Sequence, residues 1–124
     1  MADPADVVRQ FIAAWSRLDV DELVGWFTRD GIYHNMPIAP VQGQAALRAF
    51  IAGFAGGWAA TQWDVVNLAV SGNTVFAERV DRTTTKDGKQ VDLPCCGVFE
   101  VRDGRIAAWR DYFDMNAYMA GLAG

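Results

Sequence analysis

Four consecutive runs decide the fold: TQWDVVNLAVS (61–71), TVFAERVDRTTT (74–85), QVDLPCCGVFEVR (90–102) and RIAAWRDYFD (105–114). Each is rich in β-branched and aromatic residues. The joints between them carry Ser71-Gly72-Asn73, Asp87-Gly88 and Asp103-Gly104. Gly, Asn and Asp tolerate the positive φ that tight hairpin turns need, so these pairs between apolar runs are strong hairpin signals. Four strands joined by short turns form an antiparallel meander.

The residues before this meander read as helices. Asp3-Pro4-Ala5-Asp6 offers an N-cap, a proline at the first helical position and an acid in the first turn. Val7, Val8, Phe11, Ala14, Trp15 and Leu18 then recur at helical spacing. A second helix begins at Asp19 or Asp21 and carries Leu23, Val24 and Phe27. Gly31 opens a short strand, Ile32-Tyr33-His34-Asn35, which Pro37 and Pro40 end. A third helix follows Gly43, with Leu47, Phe50, Ile51 and Phe54 on one stripe, and a short helix from Asn116 to Leu122 closes the chain. Helices first and an antiparallel sheet after them is an α+β plan: helices packed on one face of a curved sheet, a cone enclosing an apolar pocket.

The chain has 124 residues, the size of one domain, 1–124, with room for a core. Its 52% hydrophobic and 21% charged residues exclude intrinsic disorder. A net charge of −4, without any Lys/Arg-rich run, argues against nucleic acid as a partner. No apolar stretch approaches a membrane span, and Met1-Ala2-Asp3-Pro4 has neither the basic nor the apolar region of a signal peptide, so a cytoplasmic location is expected. Cys95 and Cys96 are the only cysteines. A bridge between neighbours would close almost no loop and strain both residues, so two reduced thiols are expected. With His34 as the one histidine, soft metal ligands are too few for a zinc site.

Parity along the strands then picks out a polar group. Residues two apart in a strand share a face. Arg79 and Asp81 therefore point with Val75 and Ala77, and Asp111 points with Ala107, Trp109 and Phe113. Two carboxylates and a guanidinium among apolar side chains are costly unless they pair. Paired, they can divide acid and base roles, because burial and mutual repulsion drive the two carboxyl pKa values apart. Parity alone also permits a solvated Arg79–Asp81 pair on the outer sheet face. Tyr33 and Asn35 share a face; His34 takes the opposite one, away from the expected cavity.

At these residues the chain resembles the limonene-1,2-epoxide hydrolase family, of nuclear-transport-factor-2-like (cystatin-like) fold. The similar blocks are Tyr33-His34-Asn35-Met36-Pro37, Glu78-Arg79-Val80-Asp81, Gly97-Val98-Phe99 and Trp109-Arg110-Asp111-Tyr112-Phe113-Asp114, within a likeness running from about Ala5 to Tyr118. The resemblance implies a cofactor-free epoxide hydrolase that adds water to a small apolar epoxide to give a vicinal diol. Asp111 would be the general base, Tyr33 and Asn35 would hold the water, Asp81 would be the general acid, and Arg79 would bridge the carboxylates. It places Phe54, Trp58, Leu93, Cys95 and Phe113 on the pocket wall, with Thr83 where a large aliphatic residue is expected. It also implies a homodimer. The outer sheet face should carry Phe76, Val80, Val98, Ile106 and Tyr112 among Glu78, Arg82, Glu100 and Arg110, a mixture suited to an interface. Two alternatives share this fold: an isomerase, cyclase or dehydratase, in which an Arg between two Asp residues would lack a purpose, and a non-catalytic module that binds a small ligand.

Overall fold

The computed structural model describes residues 3–124; Met1 and Ala2, part of the N-terminal reading above, lie outside them. Asp3 caps α1 (Pro4–Ala14) by accepting the Ala5 amide at 3.1 Å, and a 3-10 turn (Trp15–Arg17) extends it until Leu18 turns left-handed at φ 49°. Asp19 caps α2 (Val20–Gly25). Then come β1 (Phe27–Asn35), the short β2 (Val41–Gln42), and α3 (Gln44–Ala55). Gly43 precedes α3 at φ 91°, a conformation that side chains disfavour. The meander is β3 (Trp58–Ser71), β4 (Thr74–Thr85), β5 (Gln90–Arg102) and β6 (Arg105–Phe113). Asp114 caps the final α4 (Met115–Ala123), accepting the Asn116 amide at 2.9 Å.

One six-stranded sheet runs in the order β2-β1-β6-β5-β4-β3. Its neighbours pair antiparallel except β1 and β6, which are parallel. The helices lie inside its curve, so the α+β cone holds. Three local expectations are corrected. Phe27 is not helical: α2 ends at Gly25, and the Trp26 carbonyl takes the Ile106 amide at 2.8 Å, drawing the next residue into β1. The first strand therefore begins at Phe27 rather than near Gly31, with a register shift between Phe27 and Ile32. Ile106 is buried rather than on the outer face, because a register shift between Glu100 and Val101 inverts the parity at the start of β6 and leaves Ala107 only half-buried.

The core is aromatic. The Phe11 ring stands edge-on to Phe27 and to Trp109, with centroids 5.4 and 5.2 Å away. Trp15 stacks on Trp63 at 4.4 Å, and Tyr33 lies parallel on Trp109 at 4.1 Å. Such large flat rings bury much apolar area, and each paired ring adds about 0.5–1.5 kcal/mol beyond that area. They also stiffen the floor on which the polar group sits. On the outer face Phe76 and Tyr112 are 42% and 45% exposed, and Val80 and Val98 are half-buried. Both cysteines are free thiols: Cys95 is buried and Cys96 half-buried on the other face. Among the described residues, no helix is long and apolar enough to cross a membrane.

Candidate active site

Arg79, Asp81 and Asp111 meet at the bottom of the cone, with only 1%, 8% and 4% of their surfaces exposed. Arg79 and Asp81 lie two apart on β4, so they share its inner face. Asp111 lies on β6, beyond β5. Register closes the gap: Gly97 of β5 stands opposite both Ala77 and Asp111, and Arg79 stands opposite Cys95. The guanidinium crosses β5 above Gly97, where no side chain obstructs it. A Cβ there would lie 2.6 Å from Arg79 Nη1 and 2.9 Å from Asp111 Oδ1.

The guanidinium grips both carboxylates in fork geometry. Arg79 Nε and Nη2 donate to Asp81 at 3.0 and 2.9 Å; Nη1 and Nη2 donate to Asp111 at 2.9 and 2.8 Å. Trp109 Nε1 adds a third bond to Asp111 at 3.0 Å. Above the guanidinium lies the Trp63 ring, 4.7 Å from Arg79 Cζ, and Trp109 flanks it at 5.8 Å. Desolvated cation–π contacts of this kind add roughly 2 kcal/mol. Sequence reasoning missed Trp63, and it met Gly97 only as part of a family block, without a task of its own. Parity marks Trp63 as inward, but only the long-range register shows what it covers.

The electrostatics are asymmetric. Burial pushes the Asp81 carboxyl above its ordinary value; Arg79 pulls it down, and Asp111 adds to the rise. Burial opposes the charge of Arg79, but Asp111 and Asp81 outweigh it and hold the guanidinium protonated. One cation and two ionised carboxylates would leave a buried net charge of −1. With a single proton on the pair, the cluster is neutral, the state a dry site favours. Asp81 is the carboxyl that burial raises, and it accepts two N–H donors where Asp111 accepts three.

Tyr33 and Asn35 sit beside this group because the parallel pairing sets Tyr33 against Trp109 and Asn35 against Asp111. Burial, and then the nearby Asp111, push the Tyr33 phenol well above its usual pKa, so it remains a neutral hydroxyl. Tyr33, Asn35, Asp81 and Asp111 all open on one cavity of about 170 Å³. Drug-sized ligand pockets run from roughly 300 Å³ upward, so the occupant is small. Phe54, Trp58, Leu93 and Phe113 line it as expected, joined by Phe50, Val91, Met115 and Tyr118. Cys95 does not line the cavity. It is buried behind the wall, its Sγ within 4.8 Å of oxygens of Asp81 and Asp111. On distance alone those three groups could hold a cation. Arg79 already fixes a positive charge on both carboxylates, and burial keeps the Cys95 thiol protonated, so the donor set suits a guanidinium and not a metal ion. His34 is half-buried on the opposite face of β1 from Tyr33 and Asn35.

Residues 8–109 match the SnoaL-like domain family. The chain is 31% identical over 118 residues to epoxide hydrolase EphG of Mycobacterium tuberculosis, covering 93% of this chain and 76% of that protein. The solved structure of an LEH-like epoxide hydrolase from M. tuberculosis superposes with a TM-score of 0.82 at 28% identity, over 97% of this chain and 89% of the other. The epoxide hydrolase/cyclase-like enzyme SalBIII, which acts in pyran ring formation in the polyether salinomycin, shares the fold: TM-score 0.82, 18% identity, 92% of each chain.

Proposed function

We propose, from the premise that this chain belongs to the SnoaL-like domain family and is a homologue of an epoxide hydrolase, that it adds water to a small, largely apolar epoxide to give a vicinal diol, without a cofactor. The observation that carries this reading is Arg79 shared by two buried carboxylates on the wall of an apolar cavity.

Opening an epoxide needs a nucleophile at one carbon and a proton at the oxygen, because a bare alkoxide leaves poorly. Asp111 takes a proton from a water held by Tyr33 and Asn35. The water oxygen bonds to the epoxide carbon, that carbon's bond to the epoxide oxygen breaks, and Asp81 gives its proton to the oxygen. One proton enters the cluster as another leaves, so its net charge stays at zero throughout. No uncompensated charge has to be created in a dry site, where it would be most costly. The neutral Tyr33 and the amide of Asn35 bind a water without competing for its proton. Acid and base each contribute roughly a hundredfold or more. Afterwards Asp111 carries the proton and Asp81 is ionised, and a proton must return to Asp81 before the next turnover.

The test is direct: incubate pure protein with small cyclic and terminal epoxides and measure diol. Absence of diol with every substrate sinks the reading. A ring-closing cyclase would differ in product: an internal hydroxyl replaces water, and a cyclic ether forms in place of the diol. We also propose that the enzyme is a homodimer through the outer sheet face that exposes Phe76 and Tyr112. Sedimentation at micromolar concentration that finds only a monomer refutes this.

A further inference from the structure

Thr83 and Tyr118 are polar side chains of the cavity wall with no part in the hydrolysis, and Thr83 is the buried one. Thr83 lines the cavity and is buried, two residues beyond Asp81 on the same face of β4. Two residues of a strand span about 6.5 Å. The Thr83 hydroxyl lies 2.8 Å from Thr61 Oγ1. That oxygen also meets Trp63 Nε1 at 3.0 Å and the Arg82 carbonyl at 3.2 Å.

The direction of each bond follows from counting protons. A hydroxyl has one proton and two lone pairs. An indole N–H only donates, so Thr61 accepts from Trp63. A carbonyl only accepts, so Thr61 gives its single proton to Arg82. The one lone pair left on Thr61 then takes the proton of Thr83. This is the arrangement in which all three contacts are hydrogen bonds. It leaves Thr83 Oγ1 with no proton to give, as an acceptor only. Trp63 is stacked on Trp15 and covers Arg79, so the chain is anchored in the rigid floor of the site.

We propose that Thr83 Oγ1 accepts a hydrogen bond from a hydroxyl on the substrate, so that the preferred epoxide is an epoxy alcohol whose hydroxyl lies about 6 Å from the epoxide oxygen. The spacing rests on the hydrolase reading, which seats the epoxide oxygen at Asp81; the acceptor character of Thr83 does not. Phe50, Phe54, Leu93 and Phe113 on that wall offer the hydroxyl no polar partner, and the Tyr118 hydroxyl, also on the wall, keeps a proton of its own to give, whereas Thr83 can only accept. A plain hydrocarbon epoxide would leave the acceptor unmatched. Since Thr83 keeps its bond to Thr61, the penalty is that of one ordinary hydrogen bond, roughly tenfold in affinity.

Binding and turnover test the two layers separately. Cyclohexanol and its methyl ether are unreactive and differ in having or lacking a donor. Their binding is followed by quenching of the tryptophan fluorescence, since Trp58 and Trp63 line the cavity. Wild-type protein is expected to bind the alcohol about tenfold more tightly than the ether. Thr83→Val, which keeps the shape, should bring the two within twofold, and Thr83→Ser should restore the preference. Alcohol and ether binding alike, no binding of either, or a preference that survives in Thr83→Val overturns the proposal. In parallel, diol is measured from cyclohexene oxide and a hydroxyl-bearing homologue. Diol from both with equal kcat/KM overturns the epoxy-alcohol assignment and leaves the hydrolase reading standing. An intact, Thr83-dependent binding preference with no diol from any epoxide upholds the acceptor and overturns the hydrolase.

Discussion

Adding one methyl group at Gly97 should disable the site from behind. The new Cβ would lie 2.6 Å from Arg79 Nη1, 2.7 Å from Phe99 Cε1 and 2.9 Å from Asp111 Oδ1. Comfortable contacts are about 3.5 Å or longer, so the guanidinium must retreat by roughly 1 Å. It has nowhere easy to go, held by Asp81 and Asp111 and covered by Trp63. Moving it stretches the 2.9 Å bond from Nη1 to Asp111. Overpacking costs about 1–3 kcal/mol, and a weakened charge-assisted bond adds to that, so Gly97→Ala should lose about 3 kcal/mol. A misplacement of about 1 Å costs on the order of a hundredfold in rate. Urea denaturation reads the first figure and diol formation the second. Gly53→Ala is the control: a Cβ there meets nothing within 4 Å on the exposed side of α3, and alanine should raise stability by about 0.5–1 kcal/mol. If Gly97→Ala unfolds at the wild-type urea midpoint and keeps more than half of the turnover, the reasoning about the crossing over β5 is wrong.

The remaining expectations follow from the same geometry. Asp81→Asn and Asp111→Asn should each lower diol formation at least a hundredfold while circular dichroism stays native; either variant keeping a tenth of wild-type turnover refutes its assigned role. Because folding raises the Asp81 pKa, the fold holds that proton more tightly than the unfolded chain does. The stability this proton confers is complete below about pH 4 and is lost as pH climbs through the raised value. Wild type should thus lose stability relative to Asp81→Asn over that rise, with turnover failing on the same alkaline limb; a rising difference contradicts the assignment of the proton. A single turnover in heavy-oxygen water, with enzyme in excess, should give fully labelled diol. Unlabelled diol with label later in the Asp111 peptide would mean that Asp111 attacks as a nucleophile.

Local signals made the helix starts and three hairpins legible, because caps and Gly-containing turns act within a few residues. Parity put Arg79 with Asp81, and Tyr33 with Asn35, on shared faces, since alternation is a property of each strand by itself; it was the family resemblance that joined them with Asp111 in one site. What escaped depends on partners far along the chain. Ile106 changes face only because β5 and β6 slip register at Glu100. Phe27 looks helical by spacing, yet its place is set by β6. Gly97 carries no chemistry to announce it, and its importance is the room that it leaves. Cys95 has the inward parity of Arg79 across the sheet, but lies behind the cavity wall and not on it.

The parallel pairing of β1 with β6 has a consequence for how the protein matures. Asn35 and Asp111 are neighbours across that seam, and most of the chain lies between them. The hairpins of β3 to β6 close short loops, and Arg79 and both carboxylates all lie within them. Bringing β1 alongside means closing a far longer loop, at a greater entropic cost and more slowly. During refolding a species is therefore expected that has its meander but still lacks Tyr33 and Asn35 beside Trp109 and Asp111. Recovered turnover should lag behind recovered sheet signal. Simultaneous recovery would show that the seam closes with the hairpins and not after them.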